Sequence, residues 1–462
     1  MTERLSSGNR HLDTILGGGL PHNAVNMIIG LPGSGKTILA EQYMFHNATP
    51  QRPGLYLSTV SEPFGKLLRY GQDLDFFDVG MVGASVFFDE LGQALNDGGL
   101  KAILARLREL LMQRRPGLIA IDSFKALAAY APDPQSFRRF LHELAGTLTA
   151  FPATSFWVGE YEQHEIGTAP EFAVADAIIS LTTRRQSERA IRHLEIRKLR
   201  GSAFMTGEHA YRIASDGLHV YPRLAEALPG MQYELHPERI SSGIPALDHM
   251  LADGYWPGAS TLIAGPSGSG KTLMGLHFIF NGAAAGEPGI IASLQENPTQ
   301  LERIAGGYGW SLTSDSVELM YRSPVDLYLE EWFYDLLDAI ERTGARRILI
   351  DSLQDLRRAA ADELRFREYL YSLLQRCSNT QISLMMSLET PSLFGTANIS
   401  EDGISHLSDN VILLQFVRAQ ARLQRAITVI KTRASSHQPE VREFKISTAG
   451  IVLGEPLHNL TD

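Results

Sequence analysis

Cysteine is nearly missing from this chain. Its single copy, Cys377, excludes an intrachain disulfide and any cysteine-based zinc site, and it falls in a stretch with helical spacing. Long apolar runs are missing as well: none approaches the length that crosses a bilayer, so no membrane partner is expected. No secretory leader is expected ahead of the first folded part, and a cytoplasmic location follows as the expectation. Positive charge is in deficit, 42 Lys and Arg against 52 Asp and Glu, for a formal net charge of −10. The chain as a whole is therefore not built to coat nucleic acid, although a local basic groove stays open.

What remains is ordinary in bulk, 44% hydrophobic and 20% charged, enough to bury a sizeable core. Length alone would suggest about three domains. A repeat overrides that count. Gly30 to Thr37 reads Gly-Leu-Pro-Gly-Ser-Gly-Lys-Thr, and Gly265 to Thr272 reads Gly-Pro-Ser-Gly-Ser-Gly-Lys-Thr. Each follows an apolar run, Val25 to Ile29 and Thr261 to Ala264, which spells strand, loop and helix start. A loop poor in side chains lets main-chain N–H groups point inward at a polyphosphate. Gly33, Gly35, Gly268 and Gly270 supply that room, with Ser34 and Ser269 between them. Lys36 and Lys271 would neutralise the outer phosphates, and the hydroxyls of Thr37 and Thr272 would complete a Mg²⁺ shell. Helices opening at these threonines, and continuing through Ile38 and Leu273, add the dipole of their N-termini. A chance glycine turn would explain one copy but not two in matching contexts.

At an offset of 235 residues, Ser7-Gly8 falls on Ser242-Gly243, Leu12-Asp13 on Leu247-Asp248, Gly19 on Gly254 and Pro63 on Pro298. At 229, Asp122-Ser123 falls on Asp351-Ser352, and Phe137-Arg138 on Phe366-Arg367. At 233, Asp176 matches Asp409, Arg192 matches Arg425, Lys198 and Arg200 match Lys431 and Arg433, and Gly217 matches Gly450. This is a tandem duplication. Residues 1–223 form one expected domain and 241–462 the other, with a linker at 224–240 carrying Pro229, Gly230 and Pro237. Within each half strands alternate with helices, which predicts an α/β fold of mostly parallel sheets flanked by helices, with ligands at the carboxyl ends of the strands. The runs Ser155 to Val158 and Ile382 to Ser387 read as buried strands, so Met385 and Met386 belong to the core.

The candidate chemistry sits around these loops. Asp122 and Asp351 each end an apolar strand downstream of a phosphate loop, where a carboxylate holds Mg²⁺ directly or through water. A helix cap is the plainer role for such a residue; the duplication favours the metal. The strand after the loop helix is the place to mount a general base or water positioner. There the second half offers Glu296 and the first offers Ser61, with Glu62 one place later. A solvated residue before a proline turn explains either glutamate equally well on spacing alone. Lys198-Leu199-Arg200 and Lys431-Thr432-Arg433 put two cations on one face of a strand, suited to a phosphate reached from a neighbouring subunit. A solvated basic edge is the alternative.

These motifs, with Gly17-Gly18-Gly19-Leu20-Pro21, Ile350-Asp351-Ser352-Leu353, Arg425-Ala426-Ile427 and Asp409-Asn410, make the chain similar to the KaiC family of double-domain RecA-superfamily ATPases over nearly its whole length. The resemblance implies two tandem RecA-like phosphate-loop domains in a double-ring homohexamer. ATP would lie between subunits; the first domain would hydrolyse it and the second would phosphorylate its own chain. It further implies that Lys198, Leu199, Arg200, Lys431, Thr432 and Arg433 meet the neighbour's ATP, with Arg192, Arg425 and His437 nearby. Tyr70 and Tyr308 take the place of an aromatic beside adenine, core packing being the other reading. Mg²⁺ would fall to Thr37, Thr272 and Glu296.

The chain also departs from the family. The adjacent glutamate pair becomes Val60-Ser61 in the first half and Gln295-Glu296 in the second. The phosphoacceptor pair becomes Ser405-His406, leaving Ser405 as acceptor, with Ser400 where another family hydroxyl stands. The chain ends at Asp462, short of the tail through which clock members engage a partner, so no circadian role is expected. A signalling ATPase with serine autokinase activity and protein partners is the preferred expectation. Its rivals are a DNA-acting motor or recombinase, disfavoured by the acidic charge, and a nucleotide-gated scaffold with little turnover, favoured by the missing first-half glutamates.

Overall fold

The computed structural model describes residues 4–59, 64–162, 164–186, 189–224, 238–360, 362–390, 404–419 and 422–457. The chain divides into two compact units, Met1–Arg223 and Leu224–Asp462. Each is an α/β domain built on a nine-stranded sheet.

In the first unit, strand β1 (Val25–Gly30) feeds the loop and helix α1 (Lys36–Asn47). Then come β2 (Gly54–Ser58), β3 (Val86–Glu90), helix α2 (Gly92–Arg114, kinked at Gly99), β4 (Leu118–Asp122), helix α3 (Pro134–Ala150) and β5 (Thr154–Gly159). Strands β6 (Ala177–Gln186), β7 (Arg189–Leu199), β8 (Glu208–Ala214) and β9 (Gly217–Tyr221) finish the unit. The order across the sheet is β9-β8-β7-β6-β1-β5-β4-β2-β3. The β3 to β6 side is parallel, and β6 to β9 is an antiparallel extension.

The second unit repeats this. Strand β10 (Ser260–Gly265) and helix α4 (Lys271–Ala284) lead to β11 (Gly289–Ser293), β12 (Val317–Tyr321), helix α5 (Leu329–Thr343), β13 (Arg347–Asp351), helix α6 (Glu363–Asn379) and β14 (Ser383–Glu389). Strands β15 (Asn410–Ala419), β16 (Arg422–Thr432), β17 (Arg442–Ser447) and β18 (Gly450–Pro456) follow. The order is β12-β11-β13-β14-β10-β15-β16-β17-β18, the same plan.

The central strands are mostly apolar and buried because both faces are covered. In the first unit Ile28, Tyr56, Ala120 and Phe156 pack under α1, while Met27, Leu55, Ile119 and Trp157 pack under α2 and α3. In the second, Met385 joins the α4 layer and Met386 the layer beneath α5 and α6, each nearly fully buried. Cys377 lies inside α6, where burial pushes its thiol up to about 12. Leu224, the first residue of the expected linker, packs in the second unit's core, and its carbonyl accepts from Ser372 Oγ at 2.7 Å. Among the described residues, no helix is long and apolar enough to cross a membrane.

Candidate functional site

Strand β1 sits between β5 and β6, and β10 between β14 and β15, so each glycine loop opens at the carboxyl end of the sheet where parallel strands diverge. Gly33 and Gly268 both take φ +73°, a conformation that turns main-chain N–H groups to one side and that side-chain-bearing residues resist. At Gly30 a Cβ would meet the Leu181 carbonyl oxygen at 2.2 Å, and at Gly265 the Leu414 carbonyl oxygen at 2.5 Å. The helices begin at Lys36 and Lys271, one residue ahead of the expected threonines.

Both lysines are buried beneath their loops. Lys36 Nζ donates to the Leu31 carbonyl at 2.9 Å, and Lys271 Nζ to those of Gly265 and Pro266 at 2.9 Å each. Burial lowers both pKa values; neighbouring carboxylates, Glu160 and Asp122 for one and Glu389 and Asp351 for the other, pull them back up.

The strand-end aspartates meet the threonines directly. Thr37 Oγ1 donates to Asp122 Oδ2 at 2.8 Å, and Thr272 Oγ1 to Asp351 Oδ2 at 2.6 Å. A second hydroxyl steadies each carboxylate from different strands: Tyr56 on β2 donates to Asp122 at 2.7 Å, while Ser387 on β14 donates to Asp351. Asp351 is buried and Asp122 half-buried. The peptide bonds after both, Asp122–Ser123 and Asp351–Ser352, are cis.

A hard cation such as Mg²⁺ takes one or two protein oxygens and fills its octahedron with phosphate and water. The threonine–aspartate pairs fit that demand, and no cluster of three metal-ligating side chains occurs among the described residues.

In the first unit the loop borders a cleft of about 730 Å³, polar at Lys36, Thr37 and Asp122 and apolar at Leu67, Leu74 and Ile213. Tyr70 lines this cleft and is 58% exposed, so core packing does not account for it. Tyr308 is held among His277 and Trp310 with ring centroids 6.4 and 5.2 Å away, which is packing.

Glu296 is half-buried between β11 and the next helix, and its carbonyl accepts from Ser293 Oγ at 2.8 Å. Residue Leu294 donates its N–H to the Asp351 carbonyl at 2.6 Å, which brings the end of β11 against the end of β13. Glu62, Ser61 and Ser400 lie outside the described residues.

The basic pairs straddle strand ends: Lys198 and Leu199 lie in β7 with Arg200 just beyond it, and Lys431 and Thr432 in β16 with Arg433 just beyond. Arg200 Nη1 meets Asp176 at 3.2 Å, and Arg433 Nη1 lies 3.7 Å from Asp409. Those aspartates accept the N–H of Val25 at 3.0 Å and of Ser260 at 2.9 Å, fastening the loop strands. Burial lowers the pKa of Lys198 and Lys431, with Arg200 and Arg433 adding to it. Thr432 Oγ1 pairs with His437 Nδ1 at 3.2 Å.

Arg425 and Arg192 stand apart from these pairs. Arg425 Nε donates to its own loop, at the Gly268 carbonyl, at 3.3 Å. Arg192 lies near enough to Tyr211 to lower that phenol's pKa against the effect of burial, and Tyr211 donates to the Ser34 carbonyl at 2.6 Å.

Glu160 and Glu389 escaped the sequence reading. Glu160 Oε1 lies 3.8 Å from Lys36 Nζ, at the end of β5, and Glu389 ends β14 close enough to raise the pKa of Lys271. The signal was available, since the two match at the offset that pairs Asp122 with Asp351.

Against known proteins, the KaiC ATPase model matches residues 5–225 and again 240–458. The circadian clock protein KaiC3 of Synechocystis sp. is 29% identical over 99% of this chain and 93% of its own length. The circadian clock oscillator protein KaiC of Picosynechococcus sp. is 29% identical over 97% of this chain and 89% of its own. That of Synechococcus elongatus is 28% identical over 97% and 88%.

Proposed function

The chain belongs to the KaiC ATPase family, and from that premise we propose a self-assembling, ATP- and Mg²⁺-dependent signalling ATPase of the cytoplasm whose second domain is the more competent site and phosphorylates Ser405. The boundaries proposed are 1–223 and 241–462 about a linker at 224–240.

The observation that carries this reading is the duplicated pairing of a loop threonine with a strand-end aspartate, 2.8 Å in one unit and 2.6 Å in the other, beneath a glycine loop with a buried lysine. In each unit Gly33 to Ile38, or Gly268 to Leu273, would hold the phosphates, and the threonine and aspartate would hold the cation. Bound Mg²⁺ supplies charge neutralisation on the phosphate oxygens. Lys36 and Lys271, both buried, add fixed positive charge at the site. The Glu296 carboxylate takes the proton from an attacking water or from Ser405 Oγ. Glu296 also stands beside the cation site in the proposed arrangement. In the first domain Ser61 cannot take a proton in this way, and Glu62 is the nearest carboxylate in sequence. Tyr70 would cover the base; Tyr308 would brace the corresponding wall from its packed position.

The family membership supports a homohexameric double ring in which Lys198, Leu199, Arg200, Lys431, Thr432, Arg433 and His437 reach the neighbour's ATP. Arg425, bonded to the carbonyl of Gly268, would also brace its own loop, and Arg192 stands near Tyr211, which donates to the loop at Ser34. Protein partners fit a signalling role; the acidic net charge speaks against nucleic acid.

The test measures assembly mass with and without ATP, then ³²P incorporation from γ-labelled ATP. A nucleotide-dependent ring that labels, and whose Ser405→Ala variant does not, is the expected result. A monomer in both conditions removes the ring, and equal labelling of Ser405→Ala removes the acceptor. Assembly without turnover would favour the nucleotide-gated scaffold, the reading that Ser61 supports. Salt-dependent binding of single-stranded DNA with stimulated hydrolysis would favour a DNA-acting motor.

A further inference from the structure

The cations proposed to reach an adjoining phosphate are also engaged within their own unit, in the same way in both halves. Lys431 Nζ donates to the main-chain carbonyls of Ser405 at 3.0 Å and Ser408 at 2.7 Å, and Arg433 donates to the carbonyl of His406. In the first unit Lys198 Nζ donates to the carbonyls of Phe172 at 3.1 Å and Ala173 at 3.5 Å, and Arg200 to that of Ala173 at 3.3 Å. Phe172 and Ser405 occupy the same place at the offset that aligns the lysines. The recurrence of carbonyl capture where the side chains differ shows that the backbone of the turn, not the serine, is what the cations hold. Each turn leads into the strand beside the glycine-loop strand, at Ala177 in one unit and Asn410 in the other.

An ammonium has three donors. Lys431 spends two on the turn, and among the described residues it makes no further bond, so a phosphate oxygen can take the third without dislodging the carbonyls. A phosphate there fixes the lysine head, and a fixed head tightens the carbonyls it holds. We infer that each Lys-x-Arg pair is a clamp that passes occupancy of the adjoining phosphate site to the turn it holds, and that in the second unit this clamp presents Ser405 only when the neighbour's site is filled. The first unit has the clamp with a buried phenyl where the serine would be, so it transmits order but has nothing to phosphorylate. This rests on the proposed contact between subunits and adds a positioning role for Lys431.

Hydrogen exchange on the full chain tests it, with a non-hydrolysable ATP analogue and Mg²⁺ as the probe. The reporters are the turn amides of Leu407, bonded to Ile404 at 3.0 Å, and Ala175, bonded to Glu171 at 3.2 Å. The analogue should slow both by about tenfold, the scale of one charge-assisted hydrogen bond. Lys431→Met should abolish the slowing at Leu407 and keep it at Ala175, and Lys198→Met should do the reverse, each variant carrying its own internal control. Ser405→Ala keeps the carbonyl and should keep the slowing. Rings that assemble without any slowing, or a Ser405→Ala variant that loses it, overturn the clamp while leaving the ATPase reading intact. A chain that never assembles sinks the contact between subunits first and the clamp with it.

Discussion

The two units solve one problem with different chemistry. Asp122 is half-buried and steadied by the phenol of Tyr56; Asp351 is buried and steadied by the smaller hydroxyl of Ser387. Helix α1 uses Gln42 to accept the Leu218 N–H at 3.0 Å, and helix α4 uses His277 to accept the Ile451 N–H at 3.2 Å. The threonine–aspartate pairing, the loop geometry and the cation clamps are shared. The difference teaches that duplication preserved the loop threonine, the strand-end aspartate and the basic pair and let their supports drift, while the position proposed to orient water diverged outright, Glu296 against Ser61.

The largest break in that comparison should come from the lysines. Lys271→Ala should lower ATP turnover by about 10²- to 10³-fold, the scale of losing one preorganised charge-stabilising donor. Lys36→Ala should leave most turnover in place. If only Lys36→Ala abolished hydrolysis in a steady-state phosphate-release assay, the ranking of the two sites would invert.

Next in size, Glu296→Gln should cost about 100-fold in both hydrolysis and Ser405 labelling, the low end of what a positioned base contributes. Its mirror, Ser61→Glu in a Lys271→Ala background, should raise the residual rate. No gain there would show that the first unit lacks more than a carboxylate.

Smaller again, Ser387→Ala should weaken Mg²⁺-nucleotide binding more than Tyr56→Phe. An acceptor left unpaired in a buried site costs more than one water can reach, and a bond to a charged group is worth about 1.5–3 kcal/mol. Calorimetric titration of each variant with the ATP analogue would rank them; equal losses would mean that burial of Asp351 is immaterial.

The smallest effect concerns pH. Burial lowers the pKa of His277, so the folded chain keeps it neutral while the unfolded chain takes up a proton near the ordinary value of about 6.5. Stability is therefore flat above that value and falls as pH drops from it toward the lowered one. The melting transition of the second unit should move down on acidification across this window, and His277→Gln, which copies the first unit, should lessen the shift.

The loops, the strand-end aspartates and the alternation of strands with helices could be read from the sequence because each is carried by contiguous residues: an apolar run, a glycine pattern, a run closed by Asp. Tyr56 and Ser387 could not. Each reaches its aspartate from a different strand, and which strand neighbours which is a property of the fold. Arg425 is a related case. Its match to Arg192 singled it out, but its hydrogen bond to the Gly268 carbonyl of its own chain comes from the fold, in which it stands opposite Phe416 across β15 and β16. Glu160 and Glu389 were legible in principle, since they match at the offset that pairs Asp122 with Asp351.

The antiparallel extension carries a mechanical consequence. Strand β1 hydrogen-bonds to β6, β6 to β7, and β8, two strands further on from β6, sends Tyr211 back to the carbonyl of Ser34. Lys198 and the glycine loop of the same domain are thus joined through one sheet. In the proposed ring, a pull on Lys198 from an adjoining phosphate would be delivered to the subunit's own glycine loop, so that load at one seam would be felt at the next.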